Sequence, residues 1–106
     1  MQEVPSEKYR ELKRRHHSVV SAVENLGQTL KREGPIDEKT AQLIQLAAAA
    51  AIHSEGAVHS HTRRALEAGA KPEEIRHALI LLTSTIGFPT MVAAMSWADN
   101  ILEADL

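Results

Sequence analysis

The segment from Asp37 to Gly69 reads DEKTAQLIQLAAAAAIHSEGAVHSHTRRALEAG. Asp37 stands where a helix N-cap is expected, and an apolar run begins at Leu43. Because five consecutive alanines give that run no polar face, we expect this helix to be buried on most sides and to lie at the centre of the fold. Ser54 is then expected to cap a second helix, which Gly69 ends in the left-handed conformation.

Helical periodicity continues on both sides of this segment. Upstream, apolar residues recur in steps of three and four until Gly34, which is typical of one long amphipathic helix. Downstream, Pro72 fits the first position of a helix that ends at Gly87, and Pro89 begins a last helix. No stretch alternates with period two. The sequence therefore predicts an all-α fold of about five helices, forming a single domain over residues 1–106.

The composition limits what this chain can do. Apolar residues make up 43 % of the chain but aromatic residues only 3 %, so the core must be aliphatic and rich in alanine. The formal net charge of −2 gives no overall field that would attract nucleic acid or an anionic membrane. The chain has no cysteine, which excludes disulfides, thiolate metal sites and a thiol redox cycle run by this chain alone.

No apolar run reaches the roughly 18 residues that a bilayer-spanning helix needs. The polar N-terminal region also lacks the pattern of a signal peptide. We therefore expect a cytoplasmic protein without a membrane segment.

Three of the six histidines, His53, His59 and His61, lie within nine residues. On a helix, His59 and His61 point about 200° apart, so they cannot chelate one ion together. No histidine pair in this cluster has the i, i+4 spacing of helical zinc sites. We therefore predict neither a metal nor a cofactor, and the three histidines are only weak metal candidates, chiefly across an oligomer interface.

Acid–base chemistry suits the cluster better, because imidazole titrates near neutral pH. Ser54 and His61 fall on one helical stripe, and Glu55 and His59 form an i, i+4 pair on another. The alternatives are structural. Glu55 and His59 also fit a solvated surface pair, His53 fits a cation at a helix C-terminus, and His61 fits a core or interface position equally well.

Two signatures in succession, IDEKTAQLIQLAAAAA and HSHTRRALEAGAKPEEIRHALILLTSTIGFP, resemble the carboxymuconolactone decarboxylase family, which includes the alkylhydroperoxidase D-like proteins. The resemblance is strongest over residues 36–97. It implies the helical alkylhydroperoxidase D-like fold and a homo-oligomer, either a trimer or a hexamer. The alanine-rich surfaces of so short a chain point to self-association as well.

The redox branch of this family has the motif CxxCxxxH at the start of a helix and a glutamate on the preceding helix. The resemblance places the histidine on His61, the two cysteines on Ser54 and Ala57, and the glutamate on Gln42. A thiol peroxidase needs a thiolate nucleophile and a second cysteine that resolves the sulfenate. Neither serine nor alanine can supply these steps, so we predict that the family's peroxiredoxin activity is absent.

The decarboxylase branch does not depend on cysteines. The resemblance then implies acid–base work by His61 on a small carboxylate or lactone, with His59 and Glu55 as partners and Ser54 as a hydrogen-bond donor. The alternative is a non-catalytic oligomeric helical protein that has kept the scaffold, because other residues occupy three positions of the family's reactive groups.

A basic run, KRRHH, covers residues 13–17. Phosphate contacts need clustered cations, but no aromatic residues are interleaved with these, and Glu7 and Glu11 lie one turn upstream to offset their charge. We therefore do not expect nucleic acid as a partner.

Overall fold

The computed structural model describes residues 7–104, and the regular structure within them is entirely helical. The all-α prediction is confirmed. The helices are α1 (Glu7–Arg15), α2 (His17–Arg32), α3 (Glu38–Ala51), α4 (Glu55–Glu67), α5 (Pro72–Ile80), α6 (Thr83–Ile86) and α7 (Phe88–Leu102). None of the helices in this range is long and apolar enough to cross a membrane.

The chain divides into two compact units, Met1–Ile36 and Asp37–Leu106. The first contains α1 and α2, and the second contains α3 to α7. That residues 1–106 behave as a single domain stays a prediction.

In the first unit, α1 packs against α2. The single long helix expected here is broken at His16, whose backbone angles of φ −132° and ψ 55° are not helical. The Tyr9 hydroxyl donates a hydrogen bond to the Glu24 carboxylate, and the Lys13 ammonium lies 3.3 Å from the same carboxylate. Polar contacts therefore join the two helices.

One face of α2 carries exposed apolar side chains at helical spacing. Four of these side chains are between 56 and 63 % exposed, and we call them the α2 apolar stripe: Val19, Val23, Leu26 and Leu30. Neither α1 nor α2 has a buried residue within the described range.

The second unit contains the hydrophobic core. α3 packs along α4, α4 packs along α7, and α5 contacts both α3 and α7. Six of the ten core residues are alanines, and small side chains let the helix axes approach closely. The core residues are Leu46, Ala49, Ala50, Val58, Ala65, Ala70, Ile75, Leu79, Ala94 and Ala98.

The α3 helix buries one face, and the expectation that it is buried on most sides is wrong. Its buried residues follow a single helical stripe: Gln42, Leu46, Ala49 and Ala50. Ile44 and Ile52 lie off this stripe and are 51 and 74 % exposed. An alanine run without polar residues therefore did not indicate which side of the helix faces the core.

The start of α3 is fixed by the predicted cap. The Asp37 carboxylate accepts hydrogen bonds from the Thr40 hydroxyl at 2.7 Å and from the Thr40 N–H at 3.2 Å. These bonds lower the pKa of the Asp37 carboxyl from its usual value. The cap is therefore charged at neutral pH.

The turn between α3 and α4 is compact because one residue adopts a left-handed backbone. His53 has φ 59°, its N–H donates to the Ala50 carbonyl at 3.1 Å, and the Ser54 N–H donates to the Ala49 carbonyl at 3.0 Å. This is the Schellman arrangement that ends helices. The same arrangement ends α4 at Gly69, where φ is 98°.

The remaining helices begin near the predicted positions. Pro72 is the first residue of α5, and the last helix begins at Phe88, one residue before the expected Pro89. A separate short helix, α6, follows α5 and ends at Gly87, where φ is 92°. The breaks at His16 and before α6 raise the helix number above the five expected.

Candidate functional site

The central contact of the candidate site joins α3 to α4. The His61 Nδ1 lies 2.8 Å from the Gln42 Oε1, although the two residues are 19 positions apart. Gln42 is fully buried and His61 is partly exposed. The packing of α3 along α4 therefore places a rigid amide against an imidazole that reaches the surface.

This hydrogen bond determines which nitrogen of His61 carries a proton. A carbonyl oxygen only accepts hydrogen bonds, so the Nδ1 must be the donor. In the neutral ring, the lone pair then resides on Nε2. Gln42 thus prepares Nε2 to accept a proton and, once protonated, to return it.

Buried polar atoms lie close to this pair in sequence. Within residues 7–104, three buried side-chain atoms have no hydrogen-bond partner: Gln42 Nε2, Gln45 Oε1 and Thr62 Oγ1. A buried polar atom without a partner costs about 1–3 kcal/mol. The Gln42 amide that contacts His61 through its oxygen therefore keeps one buried donor without a partner in the described chain.

Ser54 begins α4, as the sequence predicts. Its Oγ accepts a hydrogen bond from the Ala57 N–H at 3.3 Å. The hydroxyl proton can still be donated, but the oxygen is used as a helix cap. At the second former cysteine position, Ala57 supplies only its backbone N–H to this contact.

His59 contacts residues on α4 and α7. Its Nε2 lies 3.9 Å from the Glu55 carboxylate and 3.2 Å from the Asn100 Nδ2. The predicted i, i+4 pairing is therefore present, and α7 adds a contact that the sequence did not indicate. His59 and Glu55 therefore form a second polar cluster on α4.

The three clustered histidines do not gather around one point. His53 is exposed in the turn after α3, where its backbone conformation ends the helix. In the part of the chain that the structure describes, no group of three metal-binding side chains is placed to hold an ion.

The fold and the Gln42–His61 contact agree with a match to a known family. The model of the carboxymuconolactone decarboxylase family matches residues 18–100, so the chain belongs to that family. The chain is also similar to an uncharacterized protein of Methanocaldococcus jannaschii, with 31 % identity over 100 residues, covering 94 % of this chain and 91 % of that protein. No solved structure matches the chain.

The predicted family is confirmed, and this member has no cysteine anywhere in its sequence. The resemblance also identified Gln42, which periodicity alone would have assigned to a helix face without a role. Three polar residues near the two clusters were missed, namely Gln45, Thr62 and Asn100. Their positions depend on contacts between helices, for which the local sequence carries no signal.

Replacing the cap residue tests whether Ser54 is mainly structural. Ser54→Ala is expected to lower the free energy of unfolding by about 1 kcal/mol, because the Ala57 N–H loses its acceptor. Urea unfolding followed by circular dichroism measures this difference. Ser60→Ala, in the middle of the same helix, is the matched control and should change stability by less than about 0.5 kcal/mol. Equal losses in both variants would contradict the capping role.

Proposed function

We propose that this carboxymuconolactone decarboxylase family protein uses His61 for acid–base catalysis on a small carboxylate or lactone. The observation that carries the proposal is the 2.8 Å hydrogen bond between His61 Nδ1 and the buried Gln42 Oε1. A fixed ring orientation and a fixed tautomer are what a general acid–base histidine requires.

The proposed chemistry needs one proton site, the Nε2 of His61. When a carboxylate leaves as carbon dioxide, the electron pair of the broken C–C bond stays on the α carbon, and protonated Nε2 of His61 supplies the proton to that carbon. As a neutral residue, Gln42 also adds no negative charge that would repel such an anion.

The proposal excludes the cysteine-dependent peroxidase activity of the family's redox branch. Ser54 and Ala57 occupy the positions of the two thiols, and the chain has no other cysteine to replace them. A serine hydroxyl cannot form a sulfenate or exchange with a disulfide. We therefore expect no thiol-dependent consumption of hydrogen peroxide.

A panel assay tests this function directly. Purified protein is incubated with small lactones and carboxylates, and release of carbon dioxide or opening of the lactone is followed. A separate arm contains hydrogen peroxide and dithiothreitol. Turnover of at least one lactone or carboxylate, without peroxide consumption, is expected. Protein-dependent peroxide consumption, or failure to turn over any carboxylate or lactone, would contradict the proposal.

The second candidate function is a non-catalytic homo-oligomeric scaffold, as a trimer or a hexamer. The exposed α2 apolar stripe favours it, because a row of large apolar side chains is costly to leave in water. Self-association does not conflict with catalysis, so the two candidates differ only in turnover. Activity that depends on His61 would decide for the enzyme.

A charge placed in the α2 apolar stripe tests self-association. Leu26→Glu is expected to weaken association by at least about 100-fold, because the carboxylate would be buried without a partner. Light scattering after size-exclusion chromatography measures the mass across a dilution series. Gln28→Glu adds the same charge at an exposed position off the stripe, and its mass should match the wild type. A monomeric wild type, or equal dissociation of both variants, would contradict the oligomer.

A further inference from the structure

The first unit contains a cavity with an unusual lining. Its volume is about 400 Å³, and it is lined by Arg10, Lys13, Arg14 and His17. Three of these side chains are cationic, and the fourth is an imidazole. Lys13, Arg14 and His17 follow Arg10 by three, four and seven positions. This spacing places the four residues on one side of the chain, at the end of α1 and the start of α2.

Acidic neighbours offset only part of this positive charge. The Arg10 guanidinium lies 2.6 Å from the Glu7 carboxylate, and the Lys13 ammonium lies 3.3 Å from the Glu24 carboxylate. Within residues 7–104, the Arg14 side chain makes neither a hydrogen bond nor an ion pair. The cavity therefore retains at least one guanidinium whose charge has no partner.

Glu11, which the sequence suggested as a second counter-charge, does not serve the cavity. Its carboxylate is 2.9 Å from the Lys8 ammonium, which is not part of the lining. The His17 Nε2 is 3.4 Å from the Ser21 hydroxyl, a neutral partner that adds no negative charge to the cavity. The expected cancellation of the basic run is therefore incomplete at the cavity.

We infer that this cavity binds a small oxyanion of the phosphate class, with Arg14 as its main contact. A guanidinium presents paired N–H donors that match two phosphate oxygens. Exposed ion pairs contribute little, so Arg10 and Lys13 can turn from their glutamates towards the ligand at small cost. None of its lining residues takes part in the proposed His61 chemistry, so the site would serve binding rather than turnover.

The size and charge of the site favour a small anion over a nucleic acid. Nucleic acids need cations distributed along an extended surface, whereas these cations line one cavity in a chain of net charge −2. Phosphate could come as the free ion or as the group of an organic ester. Both sources share the chemistry that Arg14 recognises.

Calorimetric titration of the full chain tests the site at constant ionic strength. The probes are pyrophosphate, inorganic phosphate and phenyl phosphate. We expect saturable pyrophosphate binding, at least about tenfold weaker in Arg14→Gln. Arg15→Gln removes the same charge from the next residue, which is exposed and outside the lining, and should bind within about twofold of the wild type.

Two of the probes distinguish a phosphate ester from free phosphate as the ligand, and a second variant controls for misfolding. Phenyl phosphate binding more tightly than inorganic phosphate would support a phosphate ester as ligand, and the reverse order would support the free ion. If Arg14→Gln loses its helical circular dichroism, Arg14→Lys takes its place, because it keeps the charge but loses the paired donors. No saturable binding at about 10 mM, or equal losses in the Arg14 and Arg15 variants, would overturn the inference.

Discussion

Replacing His61 with alanine is expected to lower kcat/KM for a carboxylate or lactone substrate by about 10²–10⁴-fold, the usual range for losing a general acid–base group. The reason is geometric. The Gln42 carbonyl holds Nδ1 as the donor, so under the proposed function Nε2 is the nitrogen that would exchange a proton with the substrate. No nearby serine or threonine titrates near neutral pH to replace it. Initial rates over a range of substrate concentrations measure the loss.

Two comparisons make this result specific. His77→Ala removes an exposed histidine from α5, outside the candidate site, and its activity should equal that of the wild type. Gln42→Leu keeps the imidazole but removes the acceptor that orients it, so its loss should be smaller than that of His61→Ala. Urea unfolding of each variant shows whether the protein remains folded. An active His61→Ala protein would favour the non-catalytic scaffold instead.

Local sequence signals predicted the ends of the second unit's helices well. Asp37 and Ser54 cap the helices that were assigned to them, and Gly69 has the positive φ expected of a residue that ends a helix. Each of these features depends on hydrogen bonds within a few residues, so the local sequence contains nearly all the relevant information. His53 ends α3 through a left-handed backbone, which the sequence did not indicate.

Features set by packing between helices could not be predicted in the same way. The break at His16 contains no proline or glycine, and the apolar period continues through it, so the sequence resembles one long helix. Likewise, Asn100 reaches His59 from α7 across 41 positions. The family resemblance drew attention to Gln42 and His61 as positions, but their contact was not predicted, because periodicity does not contain it.

The electrostatics of the first unit show why charge counting along a sequence has limits. Glu7 and Glu11 were both expected to offset the basic run at residues 13–17. The structure pairs Glu7 with Arg10 and Glu11 with Lys8, while Lys13 contacts Glu24 on the other helix. Side-chain geometry, rather than distance along the chain, decides which cations at a surface are left without a carboxylate partner.

The second large effect concerns the core that holds the candidate site. Leu46→Ala is expected to lower the free energy of unfolding by about 2–5 kcal/mol, because the side chain is fully buried and its loss leaves a cavity. Leu46 lies one helical turn after Gln42 on the buried stripe of α3. The same substitution should therefore loosen the support for the Gln42–His61 contact. Urea unfolding measures the loss at one fixed protein concentration, because self-association would add to stability.

Ile44→Ala is the matched control for this prediction. It removes the same number of carbon atoms from the same helix, but its side chain is 51 % exposed, so the loss should be below about 1 kcal/mol. A difference between the variants would establish that α3 has one buried face. Losses of equal size would mean that both faces are covered in solution. Comparing the stability of Ile44→Ala at two protein concentrations would then show whether a second copy of the chain covers this face, because only contacts with a second copy weaken on dilution.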